Sequence, residues 1–154
     1  MSRRDQIRMT PDEVRAFLEE ERTVTCATNG RDGFPHLMPL WYVVRDGRIW
    51  AWTYAKSQKV RNLERDPRAT LQIETGDAYD QLRGLMLRTE AVLHRDEETL
   101  LGFVSELAAR YAPPGADPEA MLEGFAKQAP KRVAIEFAEV GRVSWDHRKL
   151  GGTY

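Results

Sequence analysis

The sequence predicts a mainly β fold: an antiparallel barrel of about six strands with helices packed on its outside. Three observations carry that prediction. Short runs rich in β-branched and aromatic residues alternate apolar with polar positions. Tight-turn pairs, Asn29-Gly30, Asp32-Gly33 and Asp46-Gly47, join the early runs as hairpins. The helical segments between runs are too few for the crossovers that a parallel sheet needs. A chain of 154 residues with 42% hydrophobic and 31% charged residues suits one such domain with its own core, spanning residues 1–154.

Each element has a local cause. Thr10, Pro11 and Glu13 form a capping box with proline at the first helical position, and Met9 and Val14 are placed as the accompanying staple. Val14, Phe17 and Leu18 give that helix an apolar face, and it should end near Glu20 or Glu21. Thr23 to Thr28 reads as the first strand and Pro35 to Val44 as the second, with Pro39 marking an edge or a bulge because it cannot donate to a ladder. Arg48 to Thr53 is the third. A helix opens at Ser57 and stops at Asp66-Pro67, where proline disfavours helical geometry in its predecessor. Ala69 to Glu74 and Gly84 to His94 alternate as half-buried strands.

Leu100, Phe103, Val104, Leu107, Ala108 and Tyr111 then draw a clear helical stripe. Asp117-Pro118 opens a further helix with Met121, Leu122 and Phe125. The last strand runs from Arg132 to Val140, is kinked at Gly141 and resumes in RVSW.

Composition narrows the function classes. A net charge of −1 argues against a broad nucleic-acid surface. The longest apolar stretches fall far below the ~18 residues that span a bilayer, and the charged start MSRRDQIRMT lacks the apolar region of a secretory signal. One cysteine, Cys26, allows no internal disulfide and fits a reducing cytoplasm. His36, His94 and His147 have no metal-ligand spacing, so no metal is expected. No nucleophile elbow or Walker loop is present.

The stretch TYAKSQKVRN, residues 53–62, is the best candidate site. It places Thr53 at the end of a strand fixed by a hairpin, and Ser57, Gln58, Lys59 and Asn62 at the mouth of a helix. Unpaired backbone N–H groups, a hydroxyl, an ammonium and an amide at that position suit an anion. The plainer reading is a well-capped helix with a solvated polar face.

The segments T-V-T-C-A-T, D-G-F-P-H-L-M-P-L-W, D-G-R-I-W-A-W-T and S-Q-K-V-R-N-L-E-R-D-P-R-A-T-L, in that order, resemble the flavin-binding split barrel of pyridoxamine-phosphate-oxidase-like proteins. The likeness is greatest to the branch of flavin- and deazaflavin (coenzyme F-420)-dependent oxidoreductases, and it covers residues 10 to 95 well. The resemblance implies a homodimer of six-stranded split barrels with two cofactor sites along the interface. Ser57 and Lys59 match the positions that hold the cofactor phosphate, with Thr53, Gln58 and Asn62 beside them. Met38, Pro39 and Leu40 match the strand whose backbone follows the ring system. Thr89 stands where the pattern often has glycine. The implied activity is hydride transfer from reduced F-420 to a small conjugated or heteroaromatic substrate. The alternatives are an FMN-binding oxidase, reductase or flavin carrier of the same fold, and a non-catalytic dimer that binds a ligand such as haem.

Other residues divide between function and packing. Trp50 and Trp52 share a strand face and suit either a pocket wall or the core; Trp41 and Trp145 complete the set. VSWDHRKLGGTY can reach over a neighbouring subunit's site, with Trp145, His147, Arg148 and Lys149, or form a mobile tail. His94 is expected at the surface. Asp80, Arg83 and Arg88 are candidates for interface ion pairs, and Tyr79 or solvent for a proton source; no catalytic residue is identified.

Overall fold

The structure, a computed structural model, describes residues 2–152. A short helix α1 (Arg3–Gln6), which the sequence reading did not foresee, precedes α2 (Pro11–Glu20). The capping box on α2 forms as expected: the Glu13 amide donates to Thr10 Oγ1 at 3.2 Å and the Thr10 amide to the Glu13 carboxylate at 2.6 Å. Met9 and Val14 are both buried.

Seven strands follow: β1 (Val24–Asn29), β2 (Pro35–Leu40), β3 (Tyr42–Arg45), β4 (Arg48–Tyr54), β5 (Arg68–Thr75), β6 (Arg83–His94) and β7 (Arg132–Asp146). Helix α3 (Gln58–Arg65) sits between β4 and β5, and α4 (Glu97–Tyr111) and α5 (Pro118–Ala126) lie between β6 and β7. All pairings are antiparallel, in the order β2-β1-β5-β6-β7-β4-β3.

The count of seven corrects the expected six. The run Pro35 to Val44 is not one strand: it divides at Trp41 into β2, which pairs only with β1, and β3, which pairs only with β4. These halves lie at opposite ends of the sheet order yet are one residue apart in the chain. The two edges therefore meet, and the sheet is rolled into a barrel left unbonded along this seam. Pro39, with no N–H to give, is tolerated because β2 is an edge. Trp41 is held at the division by a parallel stack on Tyr111, with ring centroids 4.4 Å apart.

Alternation sorts the side chains into two cores. Val24, Cys26, Ile49, Ala51, Leu71, Ile73, Leu85, Ile135 and Phe137 point into the barrel, and Val14, Phe17 and Leu18 of α2 seal its end. Tyr42, fully buried, donates its hydroxyl to Leu18 O at 2.7 Å, while the Arg110 guanidinium donates to the carbonyls of Leu18 and Glu21 at 2.8 Å. The last carbonyls of α2, which no intrahelical donor reaches, are thereby satisfied. On the outer face, Val43, Trp52 and Ala134 pack against Leu100, Phe103, Val104 and Leu107 of α4. Trp52 thus belongs to this second core, as the packing reading expects.

The β6–β7 pairing shifts register between Arg88 and Thr89, where Arg88 faces Gly141 and Thr89 faces Glu139. This bulge is the expected kink. Gly141 lets the Arg88 guanidinium lie against the backbone there, since a Cβ would come within 2.6 Å of it and push the side chain aside. Gly84, paired with Trp145, lies flat under the indole with no room for a side chain.

The C-terminal segment, as far as Gly152, is docked on its own chain. The Asp146 amide donates to Ile7 O at 2.7 Å, the His147 amide to Leu82 O at 3.0 Å, and Lys149 Nζ to Arg8 O at 2.8 Å and Glu13 at 2.6 Å. Hydrogen bonds from Arg148 hold the Asp146 carboxyl below the usual range. The last two residues of the segment, Thr153 and Tyr154, lie outside the described residues.

Candidate functional site

The end of β4 and the start of α3 bring the predicted anion-binding residues together. Ser57 takes the extended N-cap conformation, and its amide donates to Tyr54 O at 2.9 Å. Its hydroxyl does not cap the helix. Ser57 Oγ is shielded from solvent and bonded to nothing among the described residues. Lys59 is 7% exposed and donates to Thr53 Oγ1 at 3.0 Å; no carboxylate pairs with it among the described residues. Burial pulls the Lys59 pKa below the ordinary lysine value, and the charge of Arg132 adds to the depression. Cys26, beside it in the barrel wall, is pushed up to about 12 by burial, so it stays a neutral thiol.

Asn62 is fully buried. Its Nδ2 donates to Thr28 Oγ1 at 3.0 Å, and its Oδ1 accepts from Gln58 Nε2 at 2.9 Å. Asn62 therefore positions α3 against β1, with its amide already committed. Thr28 was not singled out in the sequence, although the alternation Val24, Cys26, Thr28 places it on the inner face. Gln58, Lys56 and Arg61 are exposed on the solvent side of the same helix mouth.

Strand β2 borders this site. Cys26 faces Met38 and Thr28 faces His36 in the register, so Met38 and His36 share the face of β2 turned towards α3. A groove lined by Gly30, Phe34, Pro35, His36, Gln58 and Asn62 separates the two elements. His36 Nδ1, shielded from solvent, has no partner among the described residues. Met38 is exposed and Leu40 half-buried, and the outer row of backbone groups along Met38, Pro39 and Leu40 has no neighbouring strand among the described residues.

Other candidates fall elsewhere. His94 is not a free surface residue: it is half-buried, bonded to Glu136 at 3.0 Å and stacked on Trp50 with centroids 4.7 Å apart. Arg83 pairs with Glu20 and Asp146 of its own chain. Thr89 is buried and donates to Ala69 O at 2.9 Å, which absorbs the hydroxyl at the position where the motif often has glycine. Tyr79 packs edge-on against His147, near the docked C-terminal segment. No group of metal-ligating side chains occurs among the described residues.

Residues 10–140 match the family model described as pyridoxamine 5'-phosphate oxidase. The chain belongs to the pyridoxamine 5'-phosphate oxidase family. A structure of this family's fold, a conserved hypothetical protein, Rv2991, from Mycobacterium tuberculosis, is 40% identical, with 100% of this chain and 95% of that one covered and a TM-score of 0.87. The haem storage protein HutZ from Vibrio cholerae is 17% identical over 87% of this chain and 94% of its own, with a TM-score of 0.70. A protein described as F420 reductase is 23% identical over 82% of this chain and 93% of its own, with a TM-score of 0.63. The last two show the shared fold. None of the curated proteins matches the chain.

In this member of the pyridoxamine 5'-phosphate oxidase family, the groups that the sequence reading proposed for an anion are gathered at one helix mouth. An ammonium, a free hydroxyl and the amides of the first turn of α3 all lie between β4 and β2. These groups are chemically suited to holding an anion.

Proposed function

We propose that this protein is an oxidoreductase that binds a phosphate-bearing deazaflavin, coenzyme F-420, and presents it to a small conjugated or heteroaromatic substrate. The observation that carries the reading is Lys59: a nearly buried ammonium with one hydroxyl partner and no carboxylate among the described residues. Such a charge is costly to bury unless a counter-ion arrives. The orphaned Ser57 hydroxyl beside it is a second unfilled hydrogen-bonding group. Together with the helix N-terminus they fit a phosphate.

In this reading Lys59 neutralises the phosphate and Ser57 donates to it. Thr53 fixes the Lys59 ammonium, and the Gln58–Asn62–Thr28 chain fixes α3. The unpaired backbone edge at Met38, Pro39 and Leu40 orients the ring system. When bound, the reduced deazaflavin supplies the hydride. The protein binds, orients and excludes water, with solvent as the proton source. FMN is the second reading, since it shares the phosphate and a planar ring. Exposed Lys56 and Arg61 at the helix mouth favour the longer, acidic ligand.

Titration of the protein with F-420 and with FMN, followed by tryptophan fluorescence, tests this. Saturable F-420 binding that weakens in Lys59→Met supports the reading. Preference for FMN replaces the cofactor, and binding that ignores Lys59→Met removes the site.

The same reading takes the protein to be a homodimer in the cytoplasm. Phe34, Leu37, Met38 and Trp41 expose large apolar surface along β2 and its turn, and a second copy would cover it. A buried reduced Cys26 suits a reducing compartment, and no helix among the described residues is long and apolar enough to cross a membrane. Sedimentation velocity at micromolar concentration should give twice the chain mass; a monomer would leave the β2 surface without its proposed cover.

A further inference from the structure

Arg132 opens β7 opposite Tyr54 in the register. Its guanidinium carbon lies 3.7 Å from the Tyr54 ring centroid and 4.9 Å from that of Trp52. Nη2 donates to Gln128 Oε1 at 2.6 Å, but Nε is shielded from solvent and has no acceptor among the described residues. Nor does a carboxylate among them pair with this half-buried cation. Its neighbour Arg95 differs, being paired with Glu64 at 2.5 Å.

Arg132 also lines a cavity of about 280 Å³ between the first turns of α4 and the segment that follows α5. Leu100, Leu101, Ala126, Ala129 and Pro130 give it apolar walls, and Arg95, neutralised by Glu64, and Glu97, which forms no ion pair with Arg132, complete the lining. The volume lies just below the ~300–1,000 Å³ usual for small-molecule pockets, which calls for a small occupant. Apolar walls with one unneutralised guanidinium suit a molecule with a hydrocarbon body and a single anionic end. The planar fork of Arg132 matches a carboxylate, and the Glu97 carboxylate in the lining disfavours a second negative charge.

We propose that this cavity binds a small organic monocarboxylate, with its hydrocarbon body between α4 and Pro130 and its carboxylate on Arg132. The site is separate from the one at Lys59. Thr53, which holds Lys59, faces into the barrel, whereas Trp52 and Tyr54, which flank Arg132, face outwards. The two sites share no lining residue, although the Arg132 charge is felt at Lys59, so the proposal does not need the cofactor reading.

Hexanoate is the probe, with hexylamine as the charge control. The indole N–H resonance of Trp52, which Arg132 and Phe125 both touch, reports occupancy by NMR. Hexanoate should shift it saturably in the parent protein and still do so in Lys59→Met. Arg132→Met, which keeps much of the side-chain stem, should weaken binding by about tenfold or more, the scale of a lost charged hydrogen bond. Ala126→Phe, which fills the cavity and leaves the cation in place, should do the same and decides the matter if Arg132→Met does not fold. Absence of saturation with hexanoate, an equal response to hexylamine, or unchanged affinity in the folded variants would overturn the proposal.

Discussion

Replacing Lys59 by methionine is expected to raise the stability of the ligand-free protein and to weaken its binding of phosphate-bearing ligands by about a hundredfold. The two effects share one cause. Lys59 places an ammonium in a nearly closed site with only the Thr53 hydroxyl for company. A methionine of similar length removes that uncompensated charge while filling the space. Exchanging a buried ion pair for well-packed apolar side chains is often neutral to stabilising by about 1–4 kcal/mol, and a buried charge without a counter-ion has less to lose. The Thr53 hydroxyl loses a partner worth about 1 kcal/mol, so a net gain near 1 kcal/mol is expected in denaturant unfolding. Affinity for the phosphate ligand should fall by about a hundredfold, the low end for losing one side of a desolvated charge pair.

The pH dependence follows from the direction of the Lys59 shift. Burial lowers its folded pKa, so between that value and the unfolded value, about 10.4, the unfolded chain binds the proton more readily. The ligand-free protein should therefore gain stability as pH rises through that interval, and Lys59→Met should lose this dependence. A variant that is less stable yet binds as before would assign Lys59 to the scaffold.

Phe17→Ala is expected to cause the largest loss of stability. Phe17 is fully buried, part of the α2 face that seals the barrel, and its ring lies 4.9 Å from the Arg83 guanidinium carbon. Truncation removes the apolar contacts and leaves a cavity bounded by β strands that cannot collapse into it. The cost should be about 3–5 kcal/mol, read as a lower midpoint in denaturant unfolding with an unchanged slope. A loss below about 1 kcal/mol would mean that α2 adds little to closing the core.

Helix α2 was fully legible because its signals are local: a cap, a proline and an apolar stripe within a dozen residues. The bulge at Gly141 was legible for the same reason. The seam at Trp41 was not. Residues 35–44 keep an extended backbone almost throughout, and what changes at Trp41 is the partner strand, which no turn residue announces. In the site, Thr53, Ser57 and Lys59 could be brought together from the strand–loop–helix order alone. Thr28 could not, because its bond to Asn62 joins positions 34 residues apart. His94 was misplaced because an imidazole at a strand end gives no hint of Trp50 and Glu136, which reach it from β4 and β7.

The seam at Trp41 also bears on the order of assembly. The β1–β2 and β3–β4 hairpins draw on neighbours in the chain and need little loop closure. The barrel takes its final form only when Ile49 to Tyr54 finds Arg132 to Phe137, a pairing that spans more than half the sequence. High contact order of this kind places folding in roughly the millisecond-to-second range rather than that of helical bundles. Trp41 ties both hairpins to one short stretch of backbone, so whichever forms first delivers the edge of the other to its place.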